Sequence, residues 1–439
     1  MQITQERDVV IRRWSDIAHF DWYLLSPVLA LVFVGFILLS STSSGDFVPK
    51  QFIFLIPAFL CGLIVLFVRI SFWRDVAIWI YCINLLFLLF VLVKGTSAMG
   101  AQRWIDIGPI NVQPSEIAKI AIIISLAAWF TRHPIKNYLD ILISGLIVIP
   151  PVLLILKQPD LGTSLTFVAI YLTMAFWAGA NLTHLLVVIS PILSLIFSAT
   201  GSMFCSLGSI QAHSQLVEFT VTHVFLFYLF ILLVWLIVHY KPWRSPWIVL
   251  FISVVLLVNF AFGFLRPVLW STLKPYQQQR ILIFLNPESD PQGAGYHIVQ
   301  SLLAIGNGGI LGYGWKEGRL TKGSYVPAQH TDFVFSVAGE EFGFIGTMIL
   351  VILFGGLLCR ILYIAKNAED KFAGLLAVGV FAFLAFHIFV NIGMTVGLMP
   401  ITGVPLPFLS YGGSALVVDV SVIFLLLSIS WRVLPKKLF

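Results

Sequence analysis

Charge is the scarcest property of this sequence. Asp, Glu, Lys and Arg make up 10% of its 439 residues, where a soluble domain carries about a quarter. That shortfall excludes an ordinary water-soluble globule. The net charge is +6, but the cations form no block or stripe, which excludes a nucleic-acid surface as their reason. Cysteine is rare too. Three of the four, Cys61, Cys82 and Cys359, sit in apolar runs, where a buried thiol is expected, and Cys205 sits in a loop. None has metal-ligand spacing. There is no Walker sequence, no GxGxxG opening a helix and no HExxH, so the chain does not consume ATP directly. Internal repeats and an appended soluble domain are also absent. The N-terminus does not read as a cleaved signal, because the first apolar run starts only near Asp21 and is long enough to span.

Apolar residues are abundant: 59% of the chain, with 38 Phe, 13 Trp and a mean hydropathy of +0.98. This is the composition of a polytopic membrane protein, all-α, because lipid offers backbone groups no other partner. At roughly 20 residues per span, the spacing predicts about twelve helices. They fall near 22–42, 51–70, 75–94, 115–131, 139–156, 161–180, 184–200, 223–240, 246–266, 330–359, 372–395 and 411–431. Short connections bearing Arg69, Arg74, Arg132, Lys241, Arg360 and Lys371 read as cytoplasmic, with both termini on that side. The long connections at 95–114 and 267–329 then face outward. A loop of that second length is uncommon without a function.

Candidate functional residues cluster in the outward connections. Arg103-Trp104 is either an interfacial anchor or a contact to a lipid-linked phosphate or sugar, Arg as a fork and Trp as a platform. Pro114-Ser115-Glu116 opens a helix, and Glu116 and Lys119 share a face. They are either a structural pair or a place to hold a diphosphate, since ionisable groups at that depth are costly. Asp160, after Gln158-Pro159, either caps the next helix or meets substrate. The run Glu288-Ser289-Asp290-Pro291-Gln292-Gly293 holds a carboxylate in a turn, with His297 following. His330-Thr331-Asp332-Phe333 stands at the mouth of a helix, and Glu340 or Glu341 deeper in it could pair with Lys119. The Pro- and Gly-rich stretch Asn391 to Ser414 reads as a rigid, re-entrant-like segment lining a groove.

In this order, these runs resemble the SEDS family of RodA- and FtsW-like proteins. The stretch Asn391 to Ser414 is similar to its most specific pattern, and the likeness covers nearly the whole chain. Asp290 to His297 looks more like the elongation branch than the division branch. The resemblance implies a glycosyltransferase that polymerises lipid II into β-1,4 glycan strands, with Asp290 as the catalytic base. It implies Arg103, Lys119 and Arg280 as cations facing the leaving diphosphate. Trp104, Glu116, Asp160, His297, Gln300, His330, Asp332, Glu341 and Ser410 are the further expected substrate contacts. A divalent metal, Mg or Mn, could assist, but no dedicated ligand set is visible. Expected partners are undecaprenyl-linked glycan, a class B penicillin-binding protein and the elongation machinery, in the bacterial inner membrane.

The sequence departs from the family in three ways. The family usually has ten spans, and the excess here is a loop and helix pair at about 201–268 inserted in an otherwise single 1–439 domain. Ala328 stands where an acid is common, and Asn307 and Tyr313 replace residues more often small or basic. A lipid II flippase and a scaffold for cell-wall proteins are the competing functions. The flippase fits the intramembrane charges. The scaffold leaves Asp290 without a purpose.

Overall fold

A computed structural model describes residues 21–42, 47–98, 101–107, 110–191, 193–194, 214–241, 246–264 and 293–433, with Ser271, Gln278 and Ile283 as isolated positions. Asp290, Arg280 and Cys205 lie outside the described residues, as does most of the 201–222 loop.

Seven described helices are long and apolar enough to cross a membrane. They are α1 (Trp22–Ser41), α2 (Phe47–Phe67), α4 (Ala77–Lys94), α5 (Pro114–Arg132), α14 (Val334–Asn367), α15 (Lys371–Thr395) and α16 (Gly413–Val433). A short α3 (Ile70–Asp75) links α2 to α4. The predicted span at 139–156 is a broken pair, α6 (Tyr138–Gly145) and α7 (Ile149–Lys157), bent by 42°. Its break precedes Pro150 and Pro151, which cannot continue the ladder of α6. Four of the expected spans are shorter or only partly described: α8 (Leu161–Trp177), α9 (Leu182–Pro191), α10 (Ser214–Tyr240) and α11 (Pro246–Phe264).

Burial ranks the helices. Within their spanning windows α15 is 78% and α5 72% buried, whereas α2 and α4 are 22%. Such uniformly apolar helices differ by neighbours, not by an amphipathic stripe. The centre is therefore α5, α15 and α16, with α8 packed on α15; α2 and α4 form the rim. Helix α15 approaches α5 and α8 closely, because a Cβ on Gly379 would come within 2.5 Å of Ile123 and 3.0 Å of Met174. The expected burial of three cysteines is corrected here: Cys82 and Cys359 are exposed and Cys61 is half-buried. Where lipid surrounds the bundle, an outward thiol is as dry as a core one.

One end of the bundle is fastened by arginines. Asp21 caps α1, its carboxylate accepting Leu24 N–H at 3.2 Å and Arg360 Nε and Nη2 at 3.0 and 2.9 Å. Arg432 donates to the carbonyls of Leu66, Phe67 and Val68 at 2.8, 3.0 and 2.7 Å, satisfying acceptors that α2 leaves unpaired at its C-terminus.

The opposite end carries the structure that the hydropathy pattern hides. Residues expected as a loop at 95–114 form a three-stranded antiparallel meander, β1 (Thr96–Ala98), β2 (Ala101–Ile107) and β3 (Ile110–Val112). Alternation of polar and apolar residues is confined to Ile105, Asp106 and Ile107, too short a run to announce a strand. Within the expected long loop lies α12 (Ala294–Gly308), followed by a short α13 (Arg319–Lys322). The last loop is also shorter than expected, since Asn391 and Gly393 belong to α15.

Helix α14 breaks at Gly343 (φ 63°), and the chain after α12 fills the break. Tyr313 and Gly314 N–H donate to the Glu340 and Glu341 carbonyls at 3.1 and 2.9 Å, while Phe344 and Ile345 N–H donate to Gly309 and Ile310 at 2.9 and 3.1 Å. Orphaned groups on both sides of the kink are thereby paired. Contact is so close that a Cβ on Gly312 would sit 2.1 Å from the Glu341 carbonyl oxygen. Its φ of 77° also favours glycine.

Candidate functional site

Four sequence-distant segments converge at the loop-rich end. From β2, Arg103 Nε donates to the Gln158 carbonyl at 3.2 Å, its Nη2 to the Pro159 carbonyl, and its Nη1 lies 3.9 Å from Asp160 Oδ2. Asp160 is the N-cap of α8: it accepts Thr163 N–H at 3.2 Å and Thr163 Oγ1 at 2.9 Å. Gln113 Nε2 reaches the same carboxylate at 3.4 Å. The cap reading of Asp160 is realised, and Arg103 is turned inward rather than anchored at a surface. Trp104, beside it, is half-buried and pairs across the sheet with Thr96.

The closing segment is stitched to both sides. Ser414 Oγ donates to the Asn111 carbonyl at 3.0 Å and accepts Gln113 N–H at 3.1 Å. Buried Ser410 accepts Leu406 N–H at 2.8 Å and donates to the Thr331 carbonyl at 2.7 Å. Tyr411 N–H donates to the His330 carbonyl at 2.8 Å. Asn391 Nδ2 bridges the Asp332 and Val404 carbonyls at 2.9 and 2.8 Å. The His330 ring stacks on Phe47 of α2 at 4.0 Å, and burial holds its pKa below the ordinary 6.5. On α12, His297 faces Phe333 with ring centroids 5.9 Å apart. One turn on, Ser301 donates to the Thr395 carbonyl at 2.7 Å, fixing the helix that also bears the half-exposed Gln300.

The expected pairing of Lys119 with Glu340 or Glu341 is corrected. Lys119 is fully buried and bonds both Glu116 oxygens at 2.8 Å, with its ammonium 5.0 Å over the Phe383 ring. Neutralised one turn away on its own helix, it presents no free charge to the end of the bundle. Glu340 instead accepts Leu320 N–H, Thr321 N–H and Thr321 Oγ1 at 2.8, 2.9 and 2.6 Å, capping α13. Glu341 accepts Lys316 N–H at 3.1 Å and the Ser41 hydroxyl. These carboxylates brace the loop after α12 against α14 and α1.

Several polar side chains of this end escaped the sequence reading. Gln51 of α2 donates to the Ser410 carbonyl and accepts Gly412 N–H, both at 3.4 Å. His387 and Asp419 are buried on α15 and α16. Each is an amide or ionisable group inside an apolar run, and that anomaly was the available signal. Among the described residues no three His, Cys, Asp or Glu side chains converge to hold a metal ion.

The fold and this end define a class: a polytopic helix bundle whose polar, loop-built face is assembled from α5, α8, α14, α16 and the sheet. The chain belongs to the FtsW/RodA/SpoVE family, described as cell cycle protein, whose pattern matches residues 19–220 and 221–433. It is 34% identical to the peptidoglycan glycosyltransferase RodA of Treponema pallidum, covering 96% of this chain and 99% of that one. It is 33% identical to the peptidoglycan glycosyltransferase MrdB of Escherichia coli K12, covering 92% and 91%. A solved chain from a peptidoglycan synthase complex, studied for coordination of polymerization and crosslinking, aligns with a TM-score of 0.68 at 29% identity, covering 94% and 98%.

Proposed function

We infer that this chain is a peptidoglycan glycosyltransferase of the elongation type, polymerising lipid II at the loop-rich end of the bundle. The observation that carries this reading is the convergence there of Arg103, Asp160, His330, Asp332 and Ser410, from four segments, in a chain related over its length to enzymes of that name. The acceptor 4-hydroxyl attacks the anomeric carbon of the donor sugar. The undecaprenyl diphosphate leaves, and the centre inverts to a β-1,4 link.

Asp290 takes the hydroxyl proton. It lies three residues before Gly293, the N-cap of α12, which is docked on the start of α14. Arg280 and Arg103 offset charge on the departing diphosphate. Lys119 supports this face from below through Glu116. His297, Gln300 and Asp332 face the sugars. The lipid tails run along α2, where Phe52, Ile53, Leu55, Ile56, Phe59 and Leu60 line an open apolar hollow of about 500 Å³. That hollow starts at Phe52, about one and a half turns from Phe47, which stacks on His330.

The loop-rich end faces out of the cytoplasm, in the inner membrane, with both termini inside. The basic residues at the opposite end, Arg360 and Arg432 among them, support that orientation. A class B penicillin-binding protein would crosslink the product. Helices α10 and α11 are an insertion in one 1–439 domain.

Purified chain in liposomes carrying outward-facing lipid II tests the reading. Wild type makes glycan polymer, and Asp290→Ala makes none while inserting normally. Movement of lipid II without polymer would establish a flippase instead. Full activity of Asp290→Ala would remove the base assignment.

A further inference from the structure

Beneath the closing segment, buried Asp419 and His387 take no part in the proposed reaction. They stand on two of the three most buried helices. Asp419 of α16 is 5% exposed, and its carboxylate accepts Phe408 N–H at 3.4 Å. Its helix packs against α5, which carries the buried Lys119–Glu116 pair. By helical rise, Lys119 and Asp419 lie at similar depth, roughly 8 and 9 Å inside the starts of their helices. From α15, His387 is 2% exposed and meets the Pro405 carbonyl through Nδ1 at 3.3 Å. A carbonyl only accepts, so Nδ1 carries the proton.

The segment these side chains hold has a short turn of its own, in which Leu409 and Ser410 N–H donate to the Leu406 carbonyl at 3.3 and 3.0 Å. Between Thr395 and Gly413 it has no helix, and it contains Pro400, Pro405 and Pro407, which lack N–H donors. Phe408 sits at φ 66°, a conformation that needs external support in a residue with a Cβ. Two residues on, Ser410 grips Thr331 at 2.7 Å, and Tyr411 grips His330 at 2.8 Å. The Phe408 amide is therefore a point where a buried side chain touches the chain that orients the His330 motif.

We propose that Asp419 is a positioning residue: from a helix packed against the one that bears the Lys119–Glu116 pair, its carboxylate pins the Phe408 amide and so fixes the Pro405–Tyr411 segment against His330 and Thr331. With the Asn391–Val404 and His387–Pro405 bonds, this bond ties the closing segment to the most buried helices beneath the face where sugars react. The inference rests on the glycosyltransferase reading for its kinetic consequence, but not for its structural one.

The experiment measures hydrogen–deuterium exchange of residues 404–412 together with lipid II polymerisation, on the full chain in the same proteoliposomes. Asp419→Leu keeps the volume and removes the acceptor. It should speed exchange of that segment about tenfold, the worth of one buried hydrogen bond, and lower kcat with KM little changed. Asp419→Asn keeps an accepting oxygen and should restore protection to within about threefold of wild type. Unchanged exchange in Asp419→Leu overturns the proposal, as does faster exchange spread equally over α5, α15 and α16. If Asp419→Leu does not fold, Asp419→Ser, too short to reach Phe408, is held to the same outcomes. A wild type that makes no polymer would remove the functional reading, while the exchange result would still decide the role of Asp419.

Discussion

Two regions of this protein bury polar groups among apolar helices, and they do so differently. In the satellite formed by α9, α10 and α11, Asn259 Nδ2 donates to Ser190 Oγ at 2.9 Å, and Tyr228 donates to the Ser190 carbonyl at 2.8 Å. Ser194 donates to the Asn259 carbonyl at 2.6 Å. These groups are neutral, belong to adjacent helices, and are used up by each other. They glue the satellite's own small core of Val187, Leu232, Leu236, Ile252 and Val255. At the loop-rich end charged and imidazole groups join neutral Gln, Asn and Ser side chains, come from sequence-distant segments, and hold non-helical backbone. Polar density inside a membrane therefore does not by itself mark a site. Formal charge and long-range convergence on irregular backbone do.

This contrast can be broken from either side. The largest effect should come from Lys119→Met, which strands Glu116 without a cation. Removing one partner of a buried pair typically costs about 3–5 kcal/mol, so unfolding in detergent should shift markedly and polymerisation should fail. A neutral outcome would mean water reaches the pair and the cluster is not dry. In the satellite, Asn259→Leu should cost about 1 kcal/mol, the scale of an interhelical hydrogen bond in membranes. Polymer yield should stay at the wild-type level, because no bond from Asn259 reaches the loop-rich end. A large loss of activity there would make the satellite part of the working machinery.

The smallest effect is a pH dependence. His330 is held neutral by burial, its pKa below 6.5. Above pH 6.5 it is neutral folded or unfolded and contributes nothing. As pH falls below 6.5, the unfolded chain binds a proton that the folded one resists, and stability declines until pH passes the lowered folded value. His330→Phe should flatten that acid limb of a thermal-stability profile while keeping a ring for Phe47 to stack on. An unchanged limb would assign it to other groups.

What could be read beforehand follows the physics of each signal. Membrane residence, helix type and the positions of the apolar segments need only composition and run length. Boundaries erred where Pro and Gly act in context: α6 and α7 break ahead of Pro150, and α14 runs on to Asn367 across a kink at Gly343. The β-meander was hidden because three short strands bounded by glycine look like any polar loop. The Asp160 cap and the Glu116–Lys119 pair stood among the readings of the sequence, because both are local; the partners of Glu340, Glu341 and Ser410 did not.

The amino-acid order alone settled that this chain lives in a bilayer, that its polar motifs sit in connections between spans, and which family it belongs to. Hydropathy is local, so local reading suffices. Only the folded chain decided which carboxylate meets which cation, and that Asp419 supports the Phe408 amide. Charges in a low-dielectric interior pair by distance through space; sequence separation gives that distance within one helix, as for Glu116 and Lys119, but not for Arg103 and Asp160 or for Asp21 and Arg360.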